Sequence, residues 1–246
     1  MMKIGVLLSG EGSNFQAILD AIAAGSLHAS VAVVIANVAS AGGLERARKA
    51  KIPGIVIDHR RFSSRHDFDT ACVEVLVGHD VEYVVLAGFM RVVTNVLLDA
   101  YPTRVLNIHP ALLPAFPGMN AQSQAFQYGV RISGCTVHFV DAGTDTGPIL
   151  AQTAVPVLET DDDMTLRQRI LVEEHKLLPR VLQWLAEGRV TTSPSSKGRS
   201  RVTISGVETA FVGTPPAAPA PQPSMTSTLA ATLSSAGAAT HRGRKS

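Results

Sequence analysis

Asn107 and His109 stand two residues apart in the apolar stretch "VLNIHP", and Pro110, Pro114 and Pro117 follow at once. Side chains in a strand alternate between faces, so the amide and the imidazole share one face while Leu106 and Ile108 share the other. Pro110 has no N–H for a sheet ladder, so regular pairing ends near His109. An amide and an imidazole held together at the carboxyl end of a strand can donate hydrogen bonds to a developing oxyanion and can move a proton. The plainer alternative is a buried histidine satisfied by hydrogen bonds.

A second candidate is "SGEGSN", Ser9 to Asn14, between an apolar run and a helical pattern. Gly10 and Gly12 allow a tight turn, and the free N–H groups of the following helix suit an anion. The dinucleotide fingerprint needs a glycine where Phe15 stands, and a nucleoside triphosphate loop needs a lysine that is absent. A single phosphate on Gly12, Ser13 and Asn14 fits better, with an ordinary capped turn as the alternative. The Gly-rich "DAGTDTGP" carries Asp141 and Asp145, either of which could orient a histidine or tune its pKa. His138 in "TVHFV" has the mid-strand place of a supporting group. "GFMRVV" exposes Met90 and Arg91 near a strand end, or is simply a strand-to-helix corner with Phe89 in the core.

Other chemistries lack their residues. His28, His59, His66 and His79 have no ligand spacing, and Cys72 and Cys135 form no metal cluster with them. A serine nucleophile would need a G-x-S-x-G elbow, which is missing.

These groups need a scaffold, and the chain reads as alternating strand and helix. "KIGVLLS" is a doubly buried strand; "SNFQAILDAIAAG" is a helix with Phe15, Ile18, Leu19 and Ile22 on one face and Gly25 as its stop. "SVAVVIAN", "GIVIDH", "VEYVVLAG" and "RVLNIHP" are further strands, with helices over "GGLERARKAK", "HDFDTACVEVLVGH" and "VTNVLLDAY". Such alternation predicts an α/β fold with a doubly wound, mostly parallel central sheet. "GCTVHFV" and "ILAQTAVPV" predict an antiparallel edge. A long helix starts near Asp161, its acids at the positive end, and runs past a kink at Pro179 to about Gly188. "RVTISGVETAFV" offers a last strand. The expected organisation is a catalytic domain over 1–190, an extension over 191–212, and a disordered Ala/Pro/Ser-rich tail over 213–246.

The 246 residues are 46% hydrophobic and 17% charged, enough to bury a core, and no apolar run is long enough to span a membrane. The positive charge is concentrated late. From Thr191 onward there are six of the 22 bases and one of the 20 acids, which leaves residues 1–190 with 16 bases against 19 acids. That argues against nucleic acid as the partner of the body. The opening reads as a strand and not a signal peptide, and free thiols suit the cytoplasm.

Taken in order, "SGEGSNFQAI", "GLERAR", "VVLAGFMRVV", "LNIHPALLPAFPG", "GCTVHFVDAGTDTGPI" and "EEH" resemble the phosphoribosylglycinamide formyltransferases, the 10-formyltetrahydrofolate-dependent family of purine synthesis. The resemblance covers about residues 3–190 and implies a Rossmann-like formyltransferase fold. It implies a catalytic trio of Asn107, His109 and Asp145, supported by His138. The phosphate of glycinamide ribonucleotide would rest on Gly12, Ser13 and Asn14, with Glu174 on the ribose hydroxyls. The folate would lie along Met90, Arg91, Val92, Val93 and Asn107, with its pterin facing the loop from Val140 and Asp141 to Asp145, and with Arg65 nearby. Leu171 departs from the Lys or Gln that relatives often carry. The donor is a cosubstrate, with neither metal nor ATP implied, and the ligands are small molecules and not nucleic acid or membrane. A homodimer is left open.

Formyl transfer passes through a tetrahedral oxyanion, and a preorganised donor aimed at it is worth about 3 kcal/mol. The expected donors are Asn107 and a protonated His109, whose pKa Asp145 raises. Met90, Val92 and the proline segment would exclude water, and a cis bond is expected before Pro114. The rivals are another folate-dependent formyltransferase, a formyltetrahydrofolate hydrolase, and a noncatalytic nucleotide- or folate-binding module. A formyltransferase acting on tRNA would need an RNA-binding domain after this one, and a hydrolase a small domain before it.

Overall fold

Continuous apolar runs become strands, the central ones largely buried on both faces. In a computed structural model that describes residues 1–195 and 198–207, seven of them make one sheet: β1 (Met2–Leu8), β2 (Ala29–Ala36), β3 (Gly54–Val56), β4 (Tyr83–Leu86), β5 (Val105–His109), β6 (Ile132–Phe139) and β7 (Ile149–Pro156). Their order is β3-β2-β1-β4-β5-β6-β7. The first five pair in parallel, while β6 is antiparallel to both β5 and β7. The α/β class, the doubly wound parallel body and the antiparallel edge are thus as expected.

Among the described residues six α-helices flank the sheet: α1 (Ser13–Ala23), α2 (Gly43–Lys49), α3 (Arg65–Gly78), α4 (Asn95–Ala100), α5 (Ala121–Tyr128) and α6 (Asp163–Ala186). Residue alternation in β1 builds two cores. Ile4, Val6 and Leu8 meet Phe15 and Ile18 of α1 and Leu177, Leu178 and Val181 of α6. Leu7, on the other face, joins Phe68 and Leu76 of α3 and Leu97 of α4. Side chains as large as Phe15 and Phe68 each contribute roughly 2–3 kcal/mol when removed from water.

Asp162 caps α6 through a bond from the Thr165 N–H, with the Thr165 hydroxyl reaching back, so the acids do lie at the positive end. Pro179 sits within α6 without ending it; the carbonyl of His175 loses its helical partner there. Helix α5 has no counterpart in the sequence reading: Ala121 and Ala125 are its only buried residues, too small to mark an apolar face. The expected last strand is β9 (Arg201–Ile204), paired with β8 (Val190–Ser193) in a separate hairpin and not added to the central sheet. The expectation of a disordered tail over 213–246 lies outside the described residues.

Strand order reverses between β1 and β4, and there the two strand exits are tied together. Ser9 N–H donates to Gly88 O at 3.1 Å, and Met90 N–H to the Ser9 hydroxyl at 2.8 Å. A switch point of this kind opens a crevice at the carboxyl edge of the sheet.

Candidate active site

Strand β5 ends beside that crevice. Leu106 and Ile108 enter the core shared with α1 and α6, which leaves Asn107 and His109 on the opposite face. Asn107 lies directly across from His138 of β6, its Nδ2 3.3 Å from His138 Nε2. His138 Nδ1 lies 2.8 Å from the Phe139 carbonyl, and His109 Nε2 lies 2.8 Å from the Phe116 carbonyl. Carbonyl oxygens only accept, so those two ring nitrogens carry hydrogen. His138 Nε2 is then the acceptor for the Asn107 amide, which sets the orientation of that amide.

Asp145 closes the cluster. Its backbone is left-handed, with φ 55°, and the loop it stands on folds back over the β5–β6 face. Its Oδ2 is 3.3 Å from His109 Nδ1 and accepts the Gly118 N–H at 2.7 Å. Its Oδ1 is 3.6 Å from His138 Nε2, beyond hydrogen-bond length. One carboxylate therefore stands between two imidazoles.

The charge state differs from the expectation. Burial holds the His109 imidazole below its ordinary range; the Asp145 charge and the Phe116 carbonyl pull it upward but do not win. His109 is 3% exposed, so desolvation of the cation is the larger effect. The Nε2–H meets the Phe116 carbonyl, and Nδ1 faces the Asp145 carboxylate. Burial opposes ionisation of Asp145 as well, but the neighbouring His138 and the Gly118 N–H outweigh it, and its carboxyl lies below the usual range.

At the exit of β1, Gly12 has φ 71°, and a Cβ there would come within 2.9 Å of the Gly43 backbone. Only glycine fits this turn. It delivers the chain into α1 with no side chain capping the helix, so the first N–H groups are left for another acceptor. Ser13 is half-buried, and Asn14 is buried with Nδ2 donating to Glu174 Oε2 at 2.7 Å. The Asn14 Oδ1 has no partner among the described residues. Glu174 is itself buried, which raises its carboxyl above the ordinary value against the pull of the Asn14 bond. The residues expected at the ribonucleotide thus come together from α1 and α6.

The residues expected along the folate divide. Met90 and Val92 are exposed beside the switch point. Arg91 stacks its guanidinium 5.2 Å above the Phe68 ring, which in turn stacks on Phe89. Val93 is 7% exposed and packs in the α3–α4 core. Arg65 opens α3, exposed and without a hydrogen bond or ion pair among the described residues. Val140 packs against the α3–α4 core, and its N–H donates to Val105 O at 2.8 Å. Asp141 does not reach a histidine. Its Oδ1 accepts from the Gly143 N–H and the Thr146 hydroxyl, bracing its own loop.

Among the described residues no three His, Cys, Asp or Glu side chains group to hold a metal ion, and no helix is long and apolar enough to cross a membrane.

The pattern of the formyl transferase family matches residues 2–182. The chain belongs to that family. It is 43% identical to the phosphoribosylglycinamide formyltransferase of Bacillus subtilis over 185 residues, 75% of this chain and 95% of that protein. It is 48% identical to the trifunctional purine biosynthetic protein adenosine-3 of Drosophila pseudoobscura pseudoobscura over 76% of this chain, and spans 14% of that larger protein. The crystal structure of glycinamide ribonucleotide transformylase 1 from Symbiobacterium toebii has a TM-score of 0.79 at 51% identity, covering 83% of this chain and 94% of that one. Formyl transferases of this kind take the formyl group from 10-formyltetrahydrofolate.

This formyl transferase also braces its site with groups that motif reading passed over. Leu113–Pro114 is cis, as expected. Around it, the fully buried Thr136 hydroxyl donates to Ala111 O at 2.7 Å and accepts the Leu113 N–H at 3.1 Å. Gln152 Nε2 bonds both Thr136 Oγ1 and Leu113 O at 2.9 Å. These bonds hold the proline segment after His109. The sequence signal was Thr136 and Gln152 standing within strands of mostly apolar residues.

Proposed function

We propose that this chain transfers the formyl group of 10-formyltetrahydrofolate to the amine of glycinamide ribonucleotide in cytoplasmic purine synthesis, without ATP or metal, and with small molecules as its ligands. Residues 1–190 carry the reaction. The observation that carries this reading is the single cluster of Asn107, His109, Asp145 and His138 at the carboxyl edge of the sheet. The turn from Gly12 to Asn14 is on the same edge, two strands away, with amides suited to the phosphate. Glu174 and Asn14 present paired polar atoms for ribose hydroxyls. Met90 and Val92 offer exposed apolar surface beside the switch point that a folate ring would cover.

The amine attacks the formyl carbon, and the carbonyl electron pair moves to oxygen. Asn107 spends one Nδ2 hydrogen on His138 and has the other for that oxyanion. His109 Nε2–H exchanges one acceptor, the Phe116 carbonyl, for another. The proton released by the attacking nitrogen passes to the Asp145–His109 pair, where the Nδ1 lone pair faces a carboxylate that stabilises the resulting imidazolium. The same proton goes to the folate nitrogen as its bond to carbon breaks. Charge and atoms balance without a further reactant.

Mixing the protein with 10-formyltetrahydrofolate and glycinamide ribonucleotide, and following tetrahydrofolate release without ATP, tests the reading. Turnover that requires both substrates is expected. Release with the folate alone would make the protein a hydrolase, and binding without turnover would make it a noncatalytic module.

A further inference from the structure

The family pattern ends at residue 182, and the chain beyond α6 returns to the catalytic loop. The β8–β9 hairpin is anchored on the body. Ile204 is buried in the α1–α6 core, with Val190, Val202 and Val207 packed around it. Arg189 and Ser205 close its base, the Ser205 N–H donating to Arg189 O at 3.0 Å and Arg189 Nε donating to Ser205 O at 2.7 Å. Arg199, two residues before β9, then extends its guanidinium to the loop of the reaction. Nη2 donates to the Asp145 carbonyl at 2.7 Å, and Nη1 to the Gly147 carbonyl at 3.3 Å.

We propose that Arg199 is a positioning residue for the formyl transfer reaction, a clamp that fixes the backbone of Asp145 so that its carboxylate meets His109. The inference rests on the function proposed above. Asp145 holds a left-handed backbone, φ 55°, which is uncommon for a residue with a Cβ. From within the loop, the Asp141 carboxylate binds Gly143 N–H and the Thr146 hydroxyl. From outside, the planar fork of Arg199 takes the carbonyls on either side of Thr146, which two diverging donors can do and a single ammonium cannot. Arg199 touches the main chain and not the carboxylate, so its effect on the chemistry is geometric. Loss of the clamp lets Asp145 drift from Nδ1, and the upward pull of its charge on the His109 pKa weakens.

The test compares wild type, Arg199→Ala and Arg199→Lys in three measurements: steady-state kinetics, thermal unfolding, and NMR titration of the His109 ring. For a folded Arg199→Ala, kcat falls by roughly ten- to a hundredfold, the cost of a misplacement near 1 Å. KM for the ribonucleotide stays within about twofold, since its site on α1 and α6 is untouched. The His109 midpoint moves down. Arg199→Lys recovers part of the loss. Unchanged kcat and an unchanged His109 titration in a folded Arg199→Ala overturn the clamp, as does full recovery with lysine. Should Arg199→Ala fail to fold, Arg199→Lys decides by the same two readouts. Should the wild type show no turnover, the functional reading falls while the His109 titration still tests the clamp.

Discussion

Asn14 and Glu174, 160 residues apart in sequence, share a 2.7 Å hydrogen bond between α1 and α6. That bond ties the first turn after β1 to the middle of the longest helix. Both residues are almost closed to solvent, so the carboxyl is stabilised by a single donor while burial pushes its pKa up. Glu174→Ala is expected to raise KM for the ribonucleotide with a smaller effect on kcat. It should also cost about 1–3 kcal/mol in stability by leaving the Asn14 amide unpaired. Steady-state kinetics with each substrate varied in turn checks this. An effect confined to the folate would refute the assignment.

Asp145→Asn keeps an oxygen for the Gly118 N–H, so the fold is expected to survive. Turnover should fall by at least about a hundredfold, because the imidazolium loses its counter-charge. A circular dichroism melt alongside kcat separates the two effects. Near-normal activity would remove Asp145 from the proton path.

The lowered pKa of His109 has a signature in pH. Its folded pKa lies below the ordinary 6.5, so the unfolded chain takes up the proton first as pH falls. Its contribution to stability is complete above about 6.5 and is lost as pH drops from there toward the folded value. For activity, the proton-accepting ring fails on the same side, so the acid limb of the kcat profile should lie below 6.5. A limb above 6.5 would mean that His109 rests as the cation.

Thr136 holds three partners around Ala111 and Leu113 with one fully buried hydroxyl. Thr136→Val retains the shape and strands those partners. The expected loss is about 1–3 kcal/mol, read from urea unfolding. A fall in kcat should accompany it as the exit after His109 loosens. Unchanged unfolding would show that water replaces the hydroxyl.

Gly147 lies against the end of β6, where an added Cβ would fall 1.9 Å from the Phe139 carbonyl oxygen. Gly147→Ala must therefore displace backbone in the Asp145 loop. Activity should fall with little change in the ribonucleotide KM, and wild-type kinetics would show that the loop yields freely.

Much of this protein was legible from residue order alone. Apolar runs and helical spacing located the seven strands of the sheet and every long helix, since burial on two faces or one leaves a periodic trace. Alternation put Asn107 and His109 on one face, and glycines marked the turn at Gly12, because these are local properties of the chain. Tertiary structure decided what local pattern does not encode. Val93 turned inward, and helix α5 formed on two small alanines. Asp145, not Asp141, reached the histidine, and Arg199 came back from beyond the family pattern to the same loop. The protonation of His109 was the clearest case. A nearby carboxylate pulls the His109 pKa up, but burial pulls it further down, because solvent exclusion depends on every element packed around the ring, and only the folded chain assembles those elements.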